Sequence, residues 1–368
     1  MQLKSSLFEN FFQTIPKQEK NNKKIENDGG SLSPIKGVIR IRLTTTYGNS
    51  LSPEVSERTI MRLEKRNNYP KTIDIVGCHT LSGYIPQEVQ AIDETVKDTI
   101  KSCSRLKVRG KDEYKTYLQL NPNKLDGEQK IITRYSELQK VLDIIFTGIG
   151  ASVDDLSMSR ADLCFDSTDP DAYEDYKKLH RLLICCVAEA YSFRNCYQAC
   201  DLWTHKSLSI AIKNDEAEIE NYDKDEESNG GSESKNRLEL RAKKMQKSNI
   251  QHEFLDKWCN RLDKAIECFE DVKQHYNMEL ERLYKNDLAK PKKYRDYANL
   301  NGFLLRYKEC IFDRRQMVDL LSRFDEVKNP SSRADNFKRK HYIEYFSRND
   351  LKYIVKCLKN KTKEYFNS

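Results

Sequence analysis

Three short stretches of the chain carry residue types that could do phosphodiester chemistry together. Ser159–Asp166 (SRADLCFD) holds Arg160, Asp162 and Asp166. Ala217–Lys224 (AEIENYDK) holds Glu220, Tyr222 and Lys224, and Asn236–Arg241 (NRLELR) holds Arg237, Glu239 and Arg241. A tyrosine hydroxyl has an ordinary pKa near ~10, so it needs help to act as a nucleophile at neutral pH. A divalent cation supplies that help by polarising a non-bridging phosphate oxygen and offsetting the charge that builds on phosphorus. Carboxylates must hold the cation, and lysine or arginine must hold the phosphates. These stretches contain every part. A plainer reading stands beside it. Arg160, Asp162, Arg237, Glu239 and Arg241 could form a cross-strand salt-bridge ladder on a solvated sheet face, and Tyr222 is one of 20 tyrosines.

The elements that must position these residues read as strands. In SRADLCFD, Ala161, Leu163 and Phe165 form an apolar face, while Arg160, Asp162, Cys164 and Asp166 form the other. Ser207–Lys213 alternates in the same way, Ala217–Tyr222 is a second short strand, and NRLELR follows a polar loop, Asp225–Asn236, with two adjacent glycines. The last three strands should pair antiparallel. Asp162 and Asp166 are four residues apart on one strand, about 13 Å at ~3.3 Å per residue, so they cannot grip one ion together. A partner from a neighbouring strand, ~4.8 Å away, is required; Glu239 is the natural one. Glu220, about 7 Å from Tyr222 on its own strand, is a reserve ligand or base.

The rest of the chain supplies the frame. Val38–Thr45, Thr72–Gly77 and Tyr114–Leu120 read as further strands. Pro53–Arg66, Gln87–Leu106 and Tyr135–Ile149 read as helices, and Asp169-Pro170 opens a helix to about Tyr191. Ile250–Tyr284 is one long helical pattern, and Lys290-Pro291-Lys292-Lys293 is a linker candidate. Beyond it Asp313–Phe324 and Asn349–Tyr365 are helices, with Asn329–Arg339 a polar loop between them. The expected fold is therefore α+β. A flexible arm (1–36) precedes a mostly antiparallel sheet domain flanked by helices (37–289). A smaller helical domain of winged-helix or helix-turn-helix type follows (290–368).

Composition limits the classes open to the chain. Hydrophobic residues make up 38% and charged ones 33%, and no apolar run approaches the ~18 residues of a membrane span. The N-terminus has acid inside its apolar part and no small-residue cleavage site, so a cytoplasmic protein is expected. The eleven cysteines include no Cys-x-x-Cys; Cys196, Cys200 and His205 lack a fourth ligand for zinc, and reduced thiols are the better reading. The net charge of +7 is concentrated at the end. Residues 290–368 hold 20 lysines and arginines against 10 acids, leaving the remainder slightly acidic. Such segments suit nucleic acid, because cationic side chains replace condensed counterions on phosphates; a solvated helix face is the alternative.

The ordered succession of an Arg-x-Asp strand (Arg160, Asp162), a Tyr-Asp-Lys-x-Glu-Glu segment (Tyr222–Glu227) and an Arg-x-Glu strand (Arg237, Glu239) resembles the replication initiation factor family. That family comprises rolling-circle initiators of small Gram-positive plasmids and related relaxases of conjugative elements. The resemblance spans about Ser159–Met245. It implies a DNA nicking-closing enzyme in which Tyr222, assisted by Lys224, attacks the nick site and stays joined to the 5′-phosphate. It implies Mg²⁺ or Mn²⁺ held among Asp162, Glu239, Glu220 and Asp166, with Arg160, Arg237 and Arg241 on DNA phosphates. It further implies a homodimer and a host helicase as partner. None of the six histidines forms the His-hydrophobic-His pair of the other large class of rolling-circle nickases. Further family ligands would come from an earlier strand, around Asp112–Gln119. The alternatives are a non-catalytic DNA-binding replication-control or partition protein, a conjugative relaxase of the same family, and an unrelated α+β protein with a solvated charged face.

Overall fold

Alternation in one central strand sets the architecture. Strand β4 (Ser157–Ser167) turns Ala161, Leu163 and Phe165 to one side, where all three are buried under helices. Its other side carries Arg160, Asp162, Cys164 and Asp166. The computed structural model describes residues 64–85, 104–109, 115–127, 131–191, 209–213, 216–245 and 249–368. The expected arm, the strand Val38–Thr45, most of the helices begun at Pro53 and Gln87, Asp112, and the Cys196/Cys200/His205 group lie outside these residues.

The sheet is wholly antiparallel. Its other strands are β1 (Ile75–Ile85), β2 (Ser104–Arg109), β3 (Lys115–Leu120), β5 (Ser209–Lys213), β6 (Ala217–Asp223) and β7 (Asn236–Lys243), in the order β2-β3-β1-β4-β7-β6-β5. β1, β4, β6 and β7 carry the charged face, and the three expected strands join a larger sheet. The expected helix ending at Leu106 does not run that far, because 104–109 pair with β3.

Helices cover the apolar face. α1 spans Tyr135–Gly148 and α2 spans Ala172–Ala190; residues 64–72 are also helical. α2 packs on β5, β6 and β7 and is buried nearly all round, because the C-terminal helices lie on its outer side. Buried Lys178 makes that join: its Nζ donates to the carbonyls of Glu344 (2.8 Å) and Lys308 (3.3 Å). The expected continuous helix over Ile250–Tyr284 is instead a π-helical stretch, His252–Trp258, then α4 (Cys259–Glu267) and α5 (Phe269–Leu288); a one-turn helix, α3, spans Lys224–Glu227. The break between α4 and α5 falls at Cys268, whose ψ of 5° leaves the helical range.

The C-terminal part is helical: α6 (Leu300–Arg306), α7 (Arg314–Leu321), α8 (Pro330–His341) and α9 (Arg348–Phe366). The linker candidate is a tight turn. Arg295 donates to the carbonyls of Leu288 and Lys290, and Asp287 accepts from the backbone of Asp296 and Tyr297. The expected polar loop Asn329–Arg339 is a correction, since α8 occupies it. Asn329 caps the Ser332 N–H, Pro330 sits in the first turn, and Lys338, Arg339, Lys340 and His341 complement the dipole at the last. α9 begins with a capping box between Ser347 and Asp350. Among the described residues no helix is long and apolar enough to cross a membrane.

Candidate active site on the polar face of the sheet

Register brings the sequence-predicted residues to one face. β4 pairs with β7 so that Asp162 faces Arg241, Cys164 faces Glu239 and Asp166 faces Arg237. β7 pairs with β6 so that Arg241 faces Glu218, Glu239 faces Glu220 and Arg237 faces Tyr222. Directly opposed residues point to the same side. Arg160, Asp162, Asp166, Glu220, Tyr222, Arg237, Glu239 and Arg241 therefore share it, and Lys224 stands at its rim, two residues beyond Tyr222. The expected partnership of Asp162 with Glu239 is altered: Arg241, not Glu239, lies directly across from Asp162, and Glu239 is the diagonal neighbour. Diagonal positions are ~7–8 Å apart.

This face is not solvated. Asp162 is 0% exposed, Glu239 2%, Arg237 3% and Tyr222 8%. A ladder of surface charges would be wet and worth little; these charges are withdrawn from water and must satisfy one another. They do so in three groups. Arg160 binds Asp162 in a fork, Nε at 2.8 Å and Nη2 at 2.6 Å. Arg237 binds Asp166 in the same way, at 2.7 and 2.6 Å, and Ser234 Oγ adds a third donor at 2.7 Å. Arg241 reaches Glu218, Glu220 (2.6 Å) and Glu239 (2.9 Å), with its Nε 3.9 Å from Asp162.

Tyr222 stands between the second and third groups. Its hydroxyl donates to Glu239 Oε2 at 3.3 Å. Lys224 Nζ lies 5.7 Å from the centre of the tyrosine ring and pairs with Glu227. Burial raises the Tyr222 pKa, the Glu239 charge raises it further, and Arg237 opposes both. The phenol is thus held protonated with a carboxylate placed to receive its proton. Arg237 keeps one amino group, Nη1, buried without a hydrogen-bond partner.

Burial also pushes Asp162 up to about 7, against the hydrogen bonds of Arg160 and with the charge of Glu239 adding to the rise. Burial raises Glu239 as well, but there the hydrogen bond and charge of Arg241 outweigh it, leaving Glu239 below its ordinary value. A carboxyl whose folded pKa is raised binds a proton more tightly in the folded state. Its contribution is full below its unfolded value of 3.8 and is lost as pH rises through about 7. Asp162→Asn is therefore expected to gain stability relative to the wild type between pH 4.5 and pH 7.5, as measured by urea unfolding. A difference that stays flat across this range would mean Asp162 is ionised throughout.

One residue on this face was not legible from spacing. The pairing of β1 with β4 shifts between Cys78 and Thr80, and this bulge places both His79 and Thr80 on the polar side. His79 Nδ1 and Thr80 Oγ1 are 3.0 Å apart. Burial, then the nearby Arg237, lowers the imidazole to about 4, so His79 is neutral at physiological pH beside Glu239. A lone histidine in IVGCHT gives no periodic signal; only the bulge reveals it.

The carboxylate oxygens of Asp162, Glu239 and Glu220 suit a hard divalent ion in kind. As arranged, the positive charge among them is the Arg241 guanidinium, and among the described residues no three acidic, histidine or cysteine side chains form a metal centre. Asp166 has both oxygens occupied by Arg237 and Ser234, which makes it a positioning residue for Arg237. Asp162 likewise has both oxygens held by Arg160, so a cation fits among these donors only where Arg160 and Arg241 turn away from them. Arg241→Gln is accordingly expected to bind Mn²⁺ more tightly than the wild type. Its melting temperature should fall without metal and recover on titration, the linkage being worth about 2.7 kcal/mol at a hundred times Kd.

Comparison of the chain with protein-family models, curated proteins and solved structures finds no match.

Proposed function

We propose that this face is the active site of a DNA nicking-joining enzyme that starts rolling-circle replication, or transfer, of a plasmid or other mobile element. One observation carries the reading. A buried tyrosine hydroxyl rests on a carboxylate, Glu239, and the arginine across the strand from it, Arg237, is locked on Asp166 with one buried amino group left unpaired. An unpaired buried donor is costly unless a ligand completes it. A phosphate oxygen would do so.

The chain's own residues would then act as follows. Glu239 accepts the phenolic proton as Tyr222 Oη bonds to phosphorus; the bond from phosphorus to the 3′ oxygen breaks. The departing 3′ oxygen, opposite Tyr222, takes its proton from water, and the new 5′ end stays on Tyr222. Arg237 and Lys224 hold the scissile phosphate, and Arg160 and Arg241 its neighbours. Mg²⁺ or Mn²⁺ would take the place among Asp162, Glu239 and Glu220 that Arg160 and Arg241 leave on turning to the flanking phosphates, and would supply the polarisation of the phosphate oxygen. Joining is the reverse, with a 3′ hydroxyl attacking the phosphotyrosine. In this reading α7 and α8, which pack on each other, act as a helix-turn-helix-like pair on the duplex origin. A homodimer provides the second tyrosine, and a host helicase unwinds the nicked duplex.

A second reading, DNA binding without chemistry, draws on Arg241, which already satisfies the carboxylates. Covalent capture separates the two. The full chain incubated with a single-stranded origin oligonucleotide and Mn²⁺ should yield a denaturant-resistant adduct, mapped by peptide mass spectrometry to Tyr222. An adduct on another residue, or DNA binding with no adduct across origin-derived oligonucleotides, would overturn the nicking function.

A further inference from the structure

We propose that the outer face of α9 is a track for the phosphate backbone of duplex DNA. Lys352, Lys356, Lys359 and Lys363 fall at i, i+4, i+7 and i+11, so they line one side of the helix over about 16 Å at ~1.5 Å per residue. Arg348 extends the line by one turn and is anchored by its Nε on the Ile266 carbonyl at 3.1 Å. The inner side of the same helix, Leu351, Ile354, Val355 and Leu358, is buried and fixes which side faces out. The lysines border an open groove of about 290 Å³ against α4, which Ile266 and Val355 also line.

Charge decides the partner. Only Lys359 of the four is paired, with Asp263 of α4; among the described residues Lys352, Lys356 and Lys363 show no ion pair. The basic residues of α8 are more engaged: Lys338 lies over the Tyr345 ring at 4.6 Å, and Arg339 donates to Asn336. The groove offers no buried polar group to orient a small molecule. A straight row of cations on a rigid helix, three of the four without an ion pair among the described residues, instead matches a ligand whose charge repeats along a line. A duplex presents one phosphate per ~1.7 Å of axis, and each lysine that meets one releases a condensed counterion. The choice of DNA rests on the nicking function proposed above; the row of lysines does not.

The test is salt dependence. Binding of the full chain to a 30-base-pair duplex of arbitrary sequence is followed by fluorescence anisotropy between ~0.05 and ~0.3 M KCl. The triple variant Lys352→Gln/Lys356→Gln/Lys363→Gln changes exposed positions and should keep the wild-type circular dichroism and melt. It is expected to lower the slope of log K against log salt by about 2.7 and to weaken binding on the order of 10²-fold at 0.15 M. A control of equal charge, Lys285→Gln/Lys292→Gln/Lys328→Gln, should leave the slope nearly unchanged. An unchanged slope in the first variant, or an equal drop in the control, would overturn the track. So would polyglutamate binding that also depends on the three lysines and excludes DNA, which would make the partner an acidic protein. The Tyr222 adduct on a short single strand should persist in the triple variant. Loss of the slope in protein that never forms the adduct leaves the track standing and the nicking function refuted.

Discussion

Tyr222→Phe is expected to abolish adduct formation and nicking, a loss on the order of 10⁴-fold or more, while leaving the fold almost untouched. The two halves of this expectation have separate causes. The hydroxyl makes one hydrogen bond, 3.3 Å long, to a carboxylate that keeps Arg241 at 2.9 Å. Removing it leaves no acceptor stranded and should cost under about 1 kcal/mol. The ring is retained, and with it the packing at the end of β6. The oxygen that forms the bond to phosphorus is gone, and no other described hydroxyl in the site rests on Glu239. Glu239→Gln should behave differently: the nucleophile remains, its proton acceptor does not, and the rate should fall about 10²–10⁴-fold. Single-turnover capture with each variant, beside a thermal melt, reads both halves. A Tyr222→Phe protein that melts several degrees lower would assign the hydroxyl to holding the fold.

The gathering of these residues on one face was legible because strand alternation is a strong signal. Arg160, Asp162 and Asp166 are separated from Ala161, Leu163 and Phe165 by parity alone, and the same holds for Arg237, Glu239 and Arg241. What parity cannot supply is register. A slip of two residues between β4 and β7 buries the same apolar side and exchanges Glu239 for Arg241 opposite Asp162. The strand pairing chose Arg241, and with it a guanidinium where a second carboxylate was expected. His79 was hidden for a related reason: a bulge breaks the parity rule at the one place where it puts an imidazole beside Glu239.

The helices show the opposite failure. Asn329–Arg339 has too few apolar residues for a periodic stripe, since Ala334 and Phe337 are the only ones buried in α8. Its ends carried the information instead, through the Asn329 cap, Pro330 and the basic last turn. In Ile250–Tyr284 the stripe is strong and runs unbroken through residues that form three separate helical segments. Periodicity reports which side is covered; it does not report where the backbone breaks.

Burial turns the same charges into the largest stability effect in the site. Asp166→Ala is expected to cost about 3–5 kcal/mol, because it leaves the Arg237 guanidinium uncompensated where its side chain is 3% exposed and its partner's 0%. Ser234, the other donor to Asp166, loses its acceptor at the same time. Replacing both charges, Asp166→Leu with Arg237→Met, removes the desolvation cost along with the attraction and should return most of that loss. The double variant therefore separates two roles that the single one confounds. If Arg237 is held in place to meet a phosphate, the stable double variant should still fail to form the Tyr222 adduct, and urea unfolding beside covalent capture would show stability restored without activity. If the pair serves the fold alone, the adduct should return together with stability, and the unpaired Nη1 of Arg237 would have no part in binding the strand.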